Sequence, residues 1–186
     1  MSIEIEKKYR LTRKQREEVL RRLPKIGARR KGAEFEVNTI YAGDMLDPGH
    51  SVLRLRRIGK RGILTYKERF PTRSDIKHQS EDETRVGDPE AIELILEALG
   101  FTPALVYEKR RETWALGKTE IVIDELPFGL FMEIEGAVQD IREVESKLAI
   151  KRLRTEMATY PQLTAKHGTD YDGVIESRFP EKKVRP

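Results

Sequence analysis

A mostly antiparallel β-fold with helical cover, class α+β, is predicted by three observations. Stretches of alternating polar and apolar residues recur about eight times along the chain, as half-buried strands do. Turns containing Gly, Asp or Pro separate them. Helical apolar periods come after the first stretch, in the middle and near the end, which suits helices packed on one side of an antiparallel sheet. At 186 residues the chain is long enough for one well-buried domain.

The first strand covers about residues 2–10, where Ile3, Ile5 and Tyr9 fall on one side and Glu4, Glu6 and Lys8 on the other. Thr12 then starts a helical stretch whose stripe is Val19, Leu20 and Leu23 and which Pro24 ends. A basic connector from Gly27 to Gly32 leads to EFEVNTIYAG, with Phe35, Val37, Thr39 and Tyr41 on one face. The turn residues of DMLDPGH precede SVLRLRRIG, and Gly59-Lys60-Arg61-Gly62 makes a hairpin into ILTYKERF. IKHQSEDETRV is a strand of weaker composition. Asp88-Pro89 caps a helix carrying Ile92, Ile95, Leu96 and Leu99 and closed at Gly100. Three strands follow over about 104–116, 119–125 and 130–136, the last two joined by Leu126-Pro127-Phe128-Gly129. A helical period with Ile141, Val144 and Leu148 runs from Gln139 to about Lys166, interrupted at Pro161. Residues 1–168 read as the domain and 169–186 as a loose polar tail.

Charged residues make up 37% of the chain, yet 36 basic residues nearly balance 32 acidic ones, for a net charge of +4. Nucleic acid is allowed as a partner but not called for. The absence of cysteine excludes disulfides, thiolate zinc sites and cysteine nucleophiles. With no apolar run of membrane-spanning length and no signal-like core, the expectation is a cytoplasmic protein without a membrane partner, monomeric or homodimeric.

Extending the alternation to every strand gathers the charges. Arg54 and Arg56 oppose Leu53 and Leu55; Lys67 opposes Leu64 and Tyr66; Glu81 pairs with Glu83, and Lys109 with Arg111. Asp124 opposes Ile121 and Ile123, and Glu133 and Glu135 oppose Met132 and Ile134. An open sheet with its charged face in water would allow this. Recurrent Glu-x-Glu and Arg-x-Arg doublets favour a different account, because like charges side by side need a counter-charge between them. Acid doublets suit a hard divalent cation, Mg²⁺ or Mn²⁺. Arginine and lysine doublets suit phosphate. A metal-chelated polyphosphate inside a closed barrel would supply both.

Glu4-x-Glu6-x-Lys8 resembles the ExExK signature of the CYTH superfamily, the triphosphate tunnel metalloenzymes, and LRLR, TYK, EDE, EKRRETW, VIDELPFG and FMEIEG follow in order. The resemblance is close over roughly 2–136 and looser in the helical segment after it. It implies an eight-stranded antiparallel β-barrel, a triphosphate tunnel, with surrounding helices. It also implies Mg²⁺- or Mn²⁺-dependent chemistry on a small-molecule triphosphate. Carried over by motif, Lys8, Arg54, Arg56, Lys67, Lys109 and Arg111 would clamp the triphosphate. Glu4, Glu6, Glu81, Glu83, Asp124, Glu133 and Glu135 would bind metal and position water, with Glu4, Glu6 and Lys8 catalytic. The expected function is hydrolysis of tripolyphosphate or another triphosphate, with a class IV adenylyl cyclase as the alternative. A non-catalytic polyphosphate- or RNA-binding module ranks third, since an anion binder would do better without seven acids. Lys147, Lys151 and Lys166 are candidates for the C-terminal-helix lysine that members acting on thiamine triphosphate use. Gly117-Lys118-Thr119 is expected to be a hairpin turn rather than a phosphate loop, and His50, His78 and His167 lack metal-ligand spacing.

Overall fold

The computed structural model describes residues 2–71, 74–150 and 152–180. Eight strands supply the barrel: β1 (Ser2–Leu11), β2 (Arg29–Ala42), β3 (Ser51–Ile58), β4 (Arg61–Arg69), β5 (Lys77–Val86), β6 (Thr102–Leu116), β7 (Thr119–Leu126) and β8 (Gly129–Glu135). They pair antiparallel in the order β2-β3-β4-β5-β1-β8-β7-β6, and β6 pairs back onto β2, which closes the sheet on itself. Closure leaves every strand with one face inside and one outside, so a single period-two pattern separates the lumen from the core.

The outward faces build that core. Tyr9, Ile121, Ile123, Met132 and Ile134 pack beneath Val19 and Leu23 and beneath Ile141, Val144 and Leu148. Those helical residues belong to α1 (Arg13–Arg22) with its C-terminal turn, and to α3 (Val138–Lys147) with its cap residue Leu148. The Thr12–Gln15 capping box starts α1 as the sequence suggests. On the opposite side Leu96 of α2 (Pro89–Ala98) packs on Tyr41, Leu53 and Leu55. The Gly117-Lys118 step is the β6–β7 hairpin turn, with Gly117 at φ 59°.

Three elements depart from the sequence reading. β2 begins at Arg29, so the basic connector is part of the strand, and an irregularity between Arg30 and Gly32 absorbs it. The helical period over 139–166 is two helices. α3 ends at Lys147, whereas Pro161 stands in the first turn of α4 (Tyr160–His167), capped by Thr159. A proline there starts a helix, because its missing N–H would have no partner in any case. The segment after Gly168 is not loose where it is described. β9 (Thr169–Tyr171) and β10 (Val174–Ser177) form a hairpin, and β10 runs parallel to β6 at residues 105–107. β6 outruns β7, which pairs it only from Arg110 onward, and β10 covers the edge left bare. Residues 181–186 of the expected tail lie outside the described residues.

A buried ionic cluster fixes β1 from behind. Lys7 Nζ stands 2.5 Å from Asp75 and 2.7 Å from Glu145, and the Tyr9 hydroxyl donates to Glu145 at 2.6 Å. Burial opposes ionisation of Glu145, but the hydrogen bonds from Lys7 and Tyr9 outweigh it and lower its pKa. The hydrogen bond from Lys7 likewise lowers that of Asp75. Both carboxylates therefore stabilise the fold above their unfolded pKa values, and that contribution is lost as pH falls through their lower folded values. Replacing Glu145 by Gln leaves Lys7 with a single partner. The expected result is a loss of about 3 kcal/mol at neutral pH, with a shallower acid-unfolding curve, both read from urea titrations at several pH values.

Candidate active site

The lumen is a cavity of about 570 Å³. Its charges are divided between two walls. β6, β2 and β3 are contiguous in the barrel and carry Lys109, Arg111, Arg54 and Arg56. β5, β1, β8 and β7 are contiguous on the other side and carry Glu81, Glu83, Glu4, Glu6, Glu133, Glu135 and Glu120. β4, between the walls, contributes Lys67 to the lining, and Lys8 projects into it from the acidic side. Cross-strand register sets these neighbours: Glu6 lies opposite Glu135, Lys8 opposite Glu133, and Glu120 opposite Glu135.

Of the thirteen residues singled out from the sequence, twelve line this cavity. Asp124 is the exception. Fully buried, it sits behind Arg111, which donates to both its oxygens at 2.8 and 2.6 Å, and it accepts a third bond from the Tyr160 hydroxyl at 2.8 Å. Arg111 also donates to Glu133 at 2.8 Å.

Two residues that the sequence reading passed over hold the basic wall together. Glu36 of β2 has no exposed surface, and its carboxylate lies 3.2 Å from Lys109, 3.7 Å from Arg56 and 3.8 Å from Arg111. Burial works against its charge, yet Lys109, Arg111, Arg56 and Arg54 hold its pKa well below the usual carboxylate range. Its signal was present: Glu36 faces opposite Phe35 and Val37 in the same alternation that exposed the other charges. Tyr160 had no such signal, because strand periodicity says nothing of a helix end that enters a barrel. Its ring lies 3.9 Å from Lys8 Nζ and 5.3 Å from Lys109 Nζ. Neither of the two candidate lysines among the described residues does the same. Lys147 is on α3 beside Glu143, Lys166 is exposed, and Lys151 lies outside the described residues.

Burial governs the electrostatics of the acidic wall. Lys67 bridges Glu4 at 2.6 Å and Glu81 at 2.7 Å, and Lys77 reaches Glu6 at 3.2 Å. Burial, then contact with Glu81, raises the pKa of Glu4 despite Lys67. Burial, then Glu4 and Glu120, pushes Glu135 up to about 8. Burial also lowers Lys8 to about 8, against the attraction of Glu133. Around Glu135, then, the wall has more negative charge than its cations offset. Among the described residues no three carboxylates stand together as a ready-made cation site. A hard divalent cation nevertheless fits the donor set: oxygen ligands only, short of positive charge, on adjacent strands.

The described helices include none long and apolar enough to cross a membrane. No curated protein matches the chain. Among solved structures, a protein from Pyrococcus horikoshii OT3 matches with TM-score 0.74 and 27% identity, over 84% of this chain and 96% of its own. A protein from Vibrio parahaemolyticus described as a putative adenylate cyclase matches with TM-score 0.69 and 21% identity, over 88% and 98%. A Hippeastrum protein described as a putative adenylyl cyclase with a dominant triphosphatase activity matches with TM-score 0.69 and 16% identity, over 89% and 96%. The last two are likenesses of fold. The CYTH domain profile matches residues 2–164, a span that takes in all eight barrel strands and the start of α4. A closed barrel with its charges turned inward, built from the residues that profile covers, places this chain in the CYTH family.

Proposed function

We propose that the protein is a metal-dependent phosphohydrolase acting on inorganic tripolyphosphate or another triphosphate compound. The observation that carries this reading is the division of one enclosed lumen into a basic wall and an acidic wall. A polyphosphate held on the first and a divalent cation held on the second neutralise both. In this reading Arg54, Arg56, Lys109 and Arg111 bind the phosphate oxygens, with Lys67 at the β4 seam between the walls and Lys8 reaching in from the acidic side. Glu36 and Asp124 keep the cations of the basic wall charged and aimed, so that their alignment is complete before the substrate arrives. Glu4, Glu6 and Glu135 would hold the cation, and Glu81, Glu83 and Glu133 orient the attacking water. The cation, Mg²⁺ or Mn²⁺, supplies Lewis acidity toward the phosphate oxygens when bound. Phosphoryl transfer asks little covalent chemistry of the protein beyond such placement and charge neutralisation.

Cyclisation of ATP is the second reading, and the description of the Vibrio parahaemolyticus neighbour favours it. It needs a pocket for the base. Here the apolar residues that could line such a pocket, Ile40, Tyr107, Leu126 and Phe131, pack against Tyr160 and Leu163 of the chain itself, which supports hydrolysis. Incubation with tripolyphosphate, ATP and thiamine triphosphate in Mg²⁺ or Mn²⁺ distinguishes the two. Orthophosphate as the dominant product is expected; cyclic AMP with pyrophosphate as the dominant products would overturn the assignment.

A further inference from the structure

Lys67 belongs to neither wall. β4 stands between β3 of the basic wall and β5 of the acidic one, and the register sets Lys67 opposite Val52 on the first and Glu81 on the second. Its ammonium is drawn to the acidic side, where it meets Oε2 of Glu4 at 2.6 Å and Oε2 of Glu81 at 2.7 Å. Gln79, opposite Glu4 on β5, donates to the same Glu4 oxygen at 2.7 Å. That oxygen therefore already serves two donors.

A hard divalent cation would need the same oxygen. It binds carboxylate oxygens at about 2.0–2.6 Å, so an ammonium in contact with Glu4 Oε2 and a cation on that carboxylate contend for one place. Their like charges also repel at such range. The other lumen cations have anchors that such a cation would leave alone. Lys8 Nζ donates to the Ala158 carbonyl at 3.1 Å, and Lys109 lies between Glu36 and Asp124 at 3.2 and 3.6 Å. Lys67 instead leans on Glu4, a cation ligand in the reading above, and on Glu81, which orients the water. Its flexible stem lets the ammonium pivot while the strand stays still. The basic wall is within a short swing: Arg54 Nη2 lies 3.8 Å from Glu81 and donates to Thr65, the inward residue next to Lys67 on β4, at 3.3 Å.

We propose that Lys67 is a stand-in for the divalent cation and that its displacement couples the two walls. In the metal-free chain its ammonium neutralises Glu4 and Glu81. Arrival of the cation drives it off, and the freed ammonium turns to the phosphate chain on the Arg54 side. Cation and phosphate then bind with a positive cooperativity carried by a side chain, in addition to any direct bond between them. Phosphate that arrives alone meets a clamp short of one cation. This rests on the triphosphate reading above and deepens it, since it states how one ligand of the site controls the affinity for the other. By linkage, the factor that phosphate gains from the cation is the factor that the cation gains from phosphate.

Calorimetry on the full chain tests this with Lys67→Met, which keeps the stem and removes the charge. Lys67→Gln, which retains a donor for Glu4, repeats each measurement in case Met disturbs the fold. Mn²⁺ alone should bind the variant at least about tenfold more tightly than the parent, because no ammonium has to be displaced. The diimido analogue of tripolyphosphate, which resists hydrolysis, should lose at most about threefold in affinity in EDTA and at least about 30-fold with saturating Mn²⁺. A lysine that only clamps phosphate would weaken the analogue by the same factor in both conditions. Losses equal within about threefold, or Mn²⁺ affinity no higher than the parent's, would overturn the proposal while leaving the triphosphate reading intact. Failure of the parent to bind Mn²⁺ and the analogue would overturn the triphosphate reading, and the proposal with it.

Discussion

Replacing Glu4 and Glu6 together by Gln is expected to lower turnover of the triphosphate at least about 1,000-fold, which is about 4 kcal/mol of transition-state stabilisation. It should leave the circular dichroism spectrum unchanged. Both side chains line the lumen rather than the helix-covered core, so their loss removes chemistry and not packing. Glutamine keeps their shape, and Lys67 retains Glu81 at 2.7 Å when Glu4 loses its charge. Steady-state phosphate release and Mn²⁺ titration by calorimetry report on the two parts of the account. The double variant should lose the Mn²⁺ binding heat as well as the rate; wild-type turnover would remove both residues from cation binding.

Arg111→Ala is expected to damage stability and binding together. Arg111 is the main partner of Asp124, meets Glu133 at 2.8 Å and lies 3.8 Å from Glu36, so its removal leaves three buried acids short of positive charge. Truncating one side of such a network costs about 3–5 kcal/mol. For a domain of this size that is a fall in melting temperature of roughly 10 °C. KM for triphosphate should rise about 100-fold, since a buried positive charge is lost from the basic wall. Arg111→Lys should restore only part of both, because an ammonium keeps the charge but cannot fork onto the two oxygens of Asp124. A variant as stable as the parent and unchanged in KM would show that Arg111 is a bystander.

The barrel's lining was legible because strand alternation is a local property. Arg54 and Glu133 each faced away from apolar neighbours that needed burial, and closure of the sheet turned those faces inward together with the matching faces of the other strands. What alternation could not reveal is the order in which strands stand side by side. The separation into walls depends on β1 pairing with both β5 and β8, and on β6 returning to β2, contacts far apart in sequence. The helical end was misread for a similar reason. Pro161 breaks a helix when read along a period, but Thr159 and Gln162 cap a new helix around it, and that helix points Tyr160 into the lumen. The apolar cluster around Tyr160 was also hidden, since Ile40, Val52, Leu105, Leu126 and Phe131 look like ordinary strand residues until the barrel closes around them.

A crystal of the protein grown with tripolyphosphate and Mn²⁺, with data collected at the manganese absorption edge, bears on the whole account. The account expects an anomalous peak inside the barrel against Glu4, Glu6 and Glu135, with phosphate density along Arg54, Arg56, Lys109 and Arg111. Manganese and phosphate found only on the outer surface, with the lumen holding water alone, would contradict it.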